Sequence, residues 1–262
     1  MQYLFDAWDR VSHRLKSARH VLVLCDYDGT LTPIVGQPEL ATLASDTRQI
    51  IQTLAKNRRY TVGIISGRAL ADLKYKVNVE GLLYAGNHGL EIEGFGSGFL
   101  EPIAEEMRPF FQILSQVLSA TLASIKGTLV ENKGLTLSVH YRSVDDSEEE
   151  RVKDVVGRIT DPLNITDRIR ITQGKKVYEI RPPVDWNKGK AVAWLIARCK
   201  ENKGKGEALP IYIGDDLTDE DAFKKIEENN GISIFVGEEN FQSVARYFLK
   251  SPEEVTRLLK ML

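Results

Sequence analysis

Val21-Leu22-Val23-Leu24-Cys25-Asp26-Tyr27-Asp28-Gly29-Thr30 sets an unbroken apolar run directly against two carboxylates and a glycine. A half-exposed strand would alternate apolar with polar residues; a continuous run belongs to a strand covered on both faces, as in a parallel sheet. Thr61 to Ile65, Leu82 to Ala85 and Ile211 to Ile213 repeat the pattern, and Ile232 to Val236 is a fifth such run. Between them, Ile50, Ile51 and Leu54 within 46–55, and Val192, Leu195, Ile196 and Cys199 within 187–199, recur at helical spacing. The expected fold class is therefore α/β, with a doubly wound, mostly parallel, Rossmann-like core. In such sheets ligands bind beyond the carboxyl ends of the strands. The runs end in Asp26-Tyr27-Asp28-Gly29-Thr30, Ser66-Gly67-Arg68, Gly86-Asn87-His88-Gly89 and Gly214-Asp215-Asp216, so these four clusters should converge on one edge.

The rhythm changes between about residues 103 and 182. A long helical stretch (Phe110, Phe111, Ile113, Leu114, Val117, Leu118, Leu122) precedes a hairpin over Thr128 to Arg142, turning at Lys133-Gly134. Ser147-Glu148-Glu149-Glu150 reads as a capping box for a helix over 148–159, and Arg168 to Thr172 with Val177 to Arg181 as a strand pair around Gly174. We expect 1–102 with 183–262 as the core domain and 103–182 as an inserted α+β cap domain in αββαββ order. Gly94-Phe95-Gly96-Ser97-Gly98 and Arg181-Pro182-Pro183 are candidate hinges. The short Lys/Gly stretch Asn202 to Gly206 is the one low-complexity tract, and the first 20 residues read as an amphipathic helix through Leu4, Trp8, Val11 and Leu15.

The 262 residues are 42% hydrophobic and 27% charged, which excludes a disordered or fibrous chain. A net charge of −2 supplies no broad attraction to nucleic acid or anionic membrane, so neither is expected as a partner. Two cysteines, Cys25 and Cys199, read as buried free thiols of a reducing compartment. No run approaches the ~18 apolar residues of a membrane span, and charges interrupt the N-terminal stretch. A cytoplasmic monomer acting on a small molecule is the expectation.

Asp26 and Asp28, two apart at a strand end, can both point into the crevice before Gly29 turns the chain. One of two carboxyls sharing a site is raised in pKa and can donate a proton while the other stays ionised; a turn at Asp28-Gly29 with Asp26 as a cap is the alternative. Asp215, Asp216, Asp219, Glu220 and Asp221 add a density of acid that calls for a hard divalent cation, Mg2+ being the natural partner. Helix capping behind Thr218 accounts for Glu220 and Asp221 instead, and leaves Asp216 and Asp219 between metal and outer positions. Ser66 leads into a helical pattern at Ala69, Leu70 and Leu73, where a hydroxyl, Gly67 and free amides suit an anion, or where Ser66 is simply an N-cap. Lys188, just after the expected N-cap Asn187, sets a cation against the positive end of a helix, which is either a functional violation or an exposed lysine. The inventory suits phosphoryl transfer. Counting a phosphate dianion, Asp26 and Asp215 against the divalent ion and Lys188 leaves one negative charge, near balance only if Asp28 is protonated.

Asp26-Tyr27-Asp28-Gly29-Thr30-Leu31, Ser66-Gly67-Arg68, Lys188 and Gly214-Asp215-Asp216 resemble, in order and strand placement, the motifs of the haloacid dehalogenase superfamily of phosphatases. Within it the chain is similar to the trehalose-6-phosphate phosphatases over about residues 20 to 240. That similarity runs through Gly86-Asn87-His88-Gly89, Val130-Glu131-Asn132-Lys133-Gly134, Ser138-Val139-His140-Tyr141-Arg142, Val177-Tyr178-Glu179-Ile180-Arg181-Pro182, Asn187-Lys188-Gly189 and Asp215 to Asp221. The resemblance implies an aspartyl-phosphate at Asp26, Asp28 as acid and then base, and Mg2+ held by Asp26, the Asp28 carbonyl and Asp215, with Asp216 and Asp219 behind. It implies phosphate contacts from Ser66, Gly67 and Lys188, and sugar contacts from Asn87, His88, Glu131, Lys133, His140, Arg142, Glu179 and Arg181. Read as residues alone, His140 and Arg142 share one strand face, which a solvated charged face explains equally, and Glu131 and Lys133 share a face next to the turn, which a cross-strand ion pair explains equally. Phosphatases of other sugar phosphates, such as sucrose phosphate, mannosylglycerate phosphate or a monosaccharide phosphate, remain alternatives, as does a non-hydrolytic phosphosugar sensor.

Overall fold

His20–Cys25, the strand built on the opening run, lies inside a nine-stranded sheet in the computed structural model, which describes residues 1–174, 176–203, 208–238 and 242–262. Across the sheet the order is Gln2–Tyr3, Tyr247–Leu249, Ile232–Val236, Ala208–Gly214, His20–Cys25, Tyr60–Ile65, Leu83–Gly86, Glu91–Gly94 and Ser97–Leu100. Neighbours pair in parallel from Gln2–Tyr3 to Leu83–Gly86, and Glu91–Gly94 returns antiparallel. The α/β, mostly parallel core expected from the sequence is what forms.

Successive residues of His20–Cys25 face opposite ways and meet apolar side chains on both sides. Val21, Val23 and Cys25 pack with Ile51 and Leu54 of helix Ser45–Lys56, Leu73 of Leu70–Val77 and Leu258 of Pro252–Met261. Leu22 and Leu24 pack with Val192 and Leu195 of helix Lys188–Lys203 and Phe223 of Glu220–Glu228. That two-sided burial is why the run carries no polar alternation. Cys25 belongs to the first cluster and Cys199 to the second, both buried and free, with the sheet between them.

The chain divides into two compact units, Met1–Phe99 with Trp186–Leu262, and Leu100–Asp185; the sequence rhythm set the inner one at 103–182. The inner unit runs through helices Pro102–Glu106 and Arg108–Leu122, strands Leu129–Asn132 and Leu137–His140, helix Glu149–Ile165, and strands Arg170–Gly174 and Val177–Arg181. Its sheet, ordered Leu129–Asn132, Leu137–His140, Val177–Arg181, Arg170–Gly174, is antiparallel throughout. Phe111, Leu114, Leu118, Leu137, Val139, Val152, Val156 and Ile180 give it a core of its own.

Several expected details differ. Gly94 to Gly98 is a hairpin joining two sheet strands, with Phe95 at φ 52° and Gly96 at φ 72°, rather than a hinge. The N-terminal segment opens as an edge strand, Gln2–Tyr3, with its helix confined to Trp8–Ser17; Leu4, Val11 and Leu15 are buried. Asp145, whose side chain accepts from the Ser147 amide, caps the turn before Glu149–Ile165 in place of Ser147, and the helix extends beyond residue 159. Part of the stretch Asn202 to Gly206, and Lys175 beside Gly174, lie outside the described residues.

Candidate active site

From His20–Cys25 the chain moves to Tyr60–Ile65 on one side, while Ala208–Gly214 pairs on the other, so the winding direction reverses between the strands that end at Asp26 and Asp215. A switch point of this kind leaves a crevice that crossing helices do not cover. The Asp26 amide donates to the Ile213 carbonyl at 2.8 Å, which locks the two strand ends together.

Lys188 fills that crevice from the first turn of helix Lys188–Lys203. Its Nζ donates to Asp26 Oδ1 at 2.8 Å and to Asp219 Oδ1 at 2.7 Å, and it is 3% exposed, with Asp26 at 5% and Asp219 at 0%. Two buried carboxylates thus answer the cation that opposed the helix dipole. Asn187 caps the helix as expected, its Oδ1 accepting from the Lys190 amide at 3.0 Å. Burial opposes the charge on Lys188, but the Asp219 and Asp26 carboxylates outweigh it and hold the ammonium above its ordinary pKa.

Asp219 also accepts from the Tyr212 hydroxyl at 2.6 Å and from the Asp215 and Asp216 amides at 3.0 Å each. With these donors placed on both oxygens, Asp219 anchors Lys188 and the strand end from behind. Asp216 is exposed and caps the turn Leu217–Asp219 through the Leu217 amide, and the helix Glu220–Glu228 that follows has Asp219 rather than Thr218 at its N-cap position. Asp215 Oδ1 accepts from Thr30 Oγ1 at 3.1 Å. Gly29, at φ +85°, makes room for it, since a Cβ there would lie 2.1 Å from Asp215 Oδ2. Burial, then the charge of Asp219, pushes the Asp215 carboxyl up to about 7. Burial likewise pushes Asp26 up against the pull of Lys188. One oxygen from each of Asp26, Asp215 and Asp219 falls within a 4.8 Å cluster, so the donors are all hard oxygens, with two carboxylates left to face a cation. This donor set fits Mg2+.

Asp28 points elsewhere. Arg68 grips it with both arms, Nε to Oδ2 and Nη2 to Oδ1, each at 2.7 Å. The charge count from the sequence left out this guanidinium, which donates to both Asp28 oxygens in a forked pair. Ser66 is buried, but its hydroxyl accepts from the Arg68 amide at 3.2 Å and does not cap a helix. The helix starts at Leu70, whose amide is taken by Glu91 Oε1 at 2.8 Å, so the expected anion site does not include that amide. Gly67 is required by a close approach: a Cβ would come within 2.6 Å of the His88 ring. Asn87 and His88 sit in a buried turn at φ 48° and 57°, with Asn87 Nδ2 donating to Glu91 at 2.7 Å.

In the inner unit, Lys133 Nζ lies 3.2 Å from Glu179 and 4.0 Å from Glu131, His140 Nε2 lies 3.0 Å from Glu131, and Ser138 Oγ donates to Glu179 at 2.7 Å. Strand alternation puts Glu131, Ser138, His140, Glu179 and Arg181 on the face opposite that unit's core. Burial would raise the Glu131 carboxyl, but His140 and Lys133 hold it below its usual range. Arg142 is not with them. Its strand ends at His140, and Arg142 lies exposed in the turn closed by the Val144 amide on the Tyr141 carbonyl, so the expected shared face with His140 does not form.

Sequence reasoning left Arg68, Tyr212 and Thr30 without roles. Arg68 and Thr30 stood inside quoted motifs, whereas Tyr212 sat in an apolar run and showed no signal beyond hydrophobicity.

Residues 24–253 match the family model described as Trehalose-phosphatase. The chain is 35% identical to a probable trehalose-phosphate phosphatase 3 of Oryza sativa subsp. japonica, over 98% of this chain and 73% of that protein. It is 36% identical to a probable trehalose-phosphate phosphatase D of Arabidopsis thaliana, over 93% of this chain and 67% of that one. Among solved structures, the C-terminal domain of C. albicans trehalose-6-phosphate phosphatase superposes with a TM-score of 0.80 at 23% identity, covering 97% of this chain and 95% of that one, a likeness of fold.

Proposed function

The chain belongs to the trehalose-phosphatase family, and from that membership we propose that it hydrolyses trehalose 6-phosphate to trehalose and inorganic phosphate through an aspartyl-phosphate. The observation that carries the mechanism is the Lys188 ammonium seated between Asp26 and Asp219 where the strand order reverses. Asp26 attacks phosphorus as the bond to the sugar oxygen breaks, and Asp28, which enters this step protonated, gives that oxygen its proton. A water then attacks phosphorus and the bond to Asp26 breaks while Asp28 takes the water's proton, which leaves Asp26 ionised and Asp28 protonated as at the start. Lys188 offsets the repulsion between a carboxylate nucleophile and a phosphate dianion, an interaction strengthened by exclusion of water.

We assign Mg2+ to Asp26, Asp215 and the Asp28 main-chain carbonyl; when bound it would supply positive charge against the phosphate oxygens. Asp219 holds Lys188 and the amides of residues 215 and 216, and Ser66 and Gly67 are assigned to the phosphate oxygens. The polar face of Glu131, Lys133, His140, Glu179 and Arg181 is the group we assign to sugar hydroxyls, with Asn87 and His88, because fixed carboxylates and cations accept and donate to them. Arg142, outside that face, is not assigned. A cytoplasmic setting is part of this reading, since two buried free thiols suit a reducing compartment, as are a small phosphosugar substrate and a monomeric enzyme. No helix among the described residues is long and apolar enough to cross a membrane.

Phosphate release from trehalose 6-phosphate, measured with Mg2+ and after chelation, tests the reading. Turnover should require the ion and fall by at least about 1,000-fold in Asp26→Asn, with the fold retained by circular dichroism. Full activity in that variant would overturn the mechanism. Glucose 6-phosphate should lose kcat as well as affinity if remote sugar contacts contribute, and faster turnover of sucrose phosphate, mannosylglycerate phosphate or a monosaccharide phosphate would shift the substrate assignment.

A further inference from the structure

Arg68 is anchored far more firmly than the carboxylate it grips. Its side chain is 7% exposed, Nη1 donates to Asp72 at 2.8 Å, Nη2 to the Pro38 carbonyl at 2.7 Å, and the guanidinium lies 5.4 Å from the centroid of the fully buried Tyr27 ring. Asp28, by contrast, has a side chain 40% exposed. If Asp28 turns away, Asp72, Pro38 and Tyr27 keep the guanidinium where it is. Arg68 is a fixed socket and Asp28 the part that moves.

We propose that Arg68 is a positioning residue for the reaction, setting the orientation of the Asp28 carboxyl group through the two-donor fork and acting through no other group. The inference rests on the acid and base roles given to Asp28 above. Those roles need the carboxyl to meet a sugar oxygen in one half of the reaction and a water in the other. A planar fork bonded to both oxygens fixes the carboxyl's plane, while release of one bond lets the other guide a small rotation. Lysine keeps the charge but has no fork, so it cannot supply that plane.

Steady-state kinetics on the whole chain with trehalose 6-phosphate separate this role from its rivals. Arg68→Lys should lower kcat by about 100-fold, the scale of a misplaced catalytic group, with KM little changed. In an Asp28→Asn background the same substitution should do nothing further, because the group it positions is gone. Asp72→Asn, at a half-exposed anchor, should give a smaller kcat loss that also vanishes with Asp28→Asn, and it serves where Arg68→Lys melts early. A loss carried by KM would make Arg68 a phosphate contact, and losses that add to those of Asp28→Asn would make it structural; either overturns the proposal. An Asp28→Asn enzyme with wild-type turnover would instead overturn the acid and base reading, and this inference with it.

Discussion

Asp215 shows what a single buried carboxyl contributes before any ion binds. Its pKa is raised from 3.8 to about 7, first by burial and then by Asp219, so the folded chain holds a proton there that the unfolded chain releases. Its contribution to stability is complete below the unfolded value and is lost as pH rises through about 7. A cation that takes the proton's place reverses the trend. Added Mg2+ should therefore raise the melting temperature more at about pH 8 than at about pH 5, as calorimetry with and without chelator would measure. An equal shift at both would place the ion elsewhere. The acid cluster that suggested this site is visible as letters in the sequence. The partners of each acid are not: nothing near Asp28 in the chain indicates that Arg68, 40 residues on, would occupy both its oxygens.

Helix ends decide where the reactive groups sit. Lys188 is the first residue of its helix, and Asn187 fixes that end twice over, through the Lys190 amide at 3.0 Å and through Asp221 at 2.9 Å. Asn187→Ala should cost about 1 kcal/mol in urea denaturation, and Asn187→Ser, which keeps a capping acceptor without adding charge beside Asp221, should cost less. Because loosening this end displaces Lys188, kcat should fall further than the stability loss alone would suggest. The Asn187 cap was legible because Asn immediately precedes an apolar periodicity. The helix after Ser66 misled because Ser66 has the right chemistry but the chain bends at Gly67 and Arg68 and is still non-helical at Ala69, where φ is −56° and ψ 143°, and Glu91 supplies the cap from a neighbouring strand. A cap contributed from elsewhere in the fold leaves no local trace.

Each unit has its own apolar core, and mutations should report on the unit that holds them. Phe111→Ala should destabilise the inner unit by about 3 to 5 kcal/mol. Hydrogen exchange should then quicken in 100–185 while strands His20–Cys25 and Ala208–Gly214 stay protected; equal loss in both would show one cooperative core. Composition and hydrophobic rhythm by themselves determined that there are strands buried on two faces, that acids follow them, and that a segment of different period interrupts the chain, since side-chain alternation is a property of neighbours in sequence. Which strand ends stand side by side was decided only by tertiary structure. The Lys188 to Asp26 bond joins residues 162 apart, and such a pair forms only once sheet order brings the two together and burial removes the water that would otherwise solvate each charge.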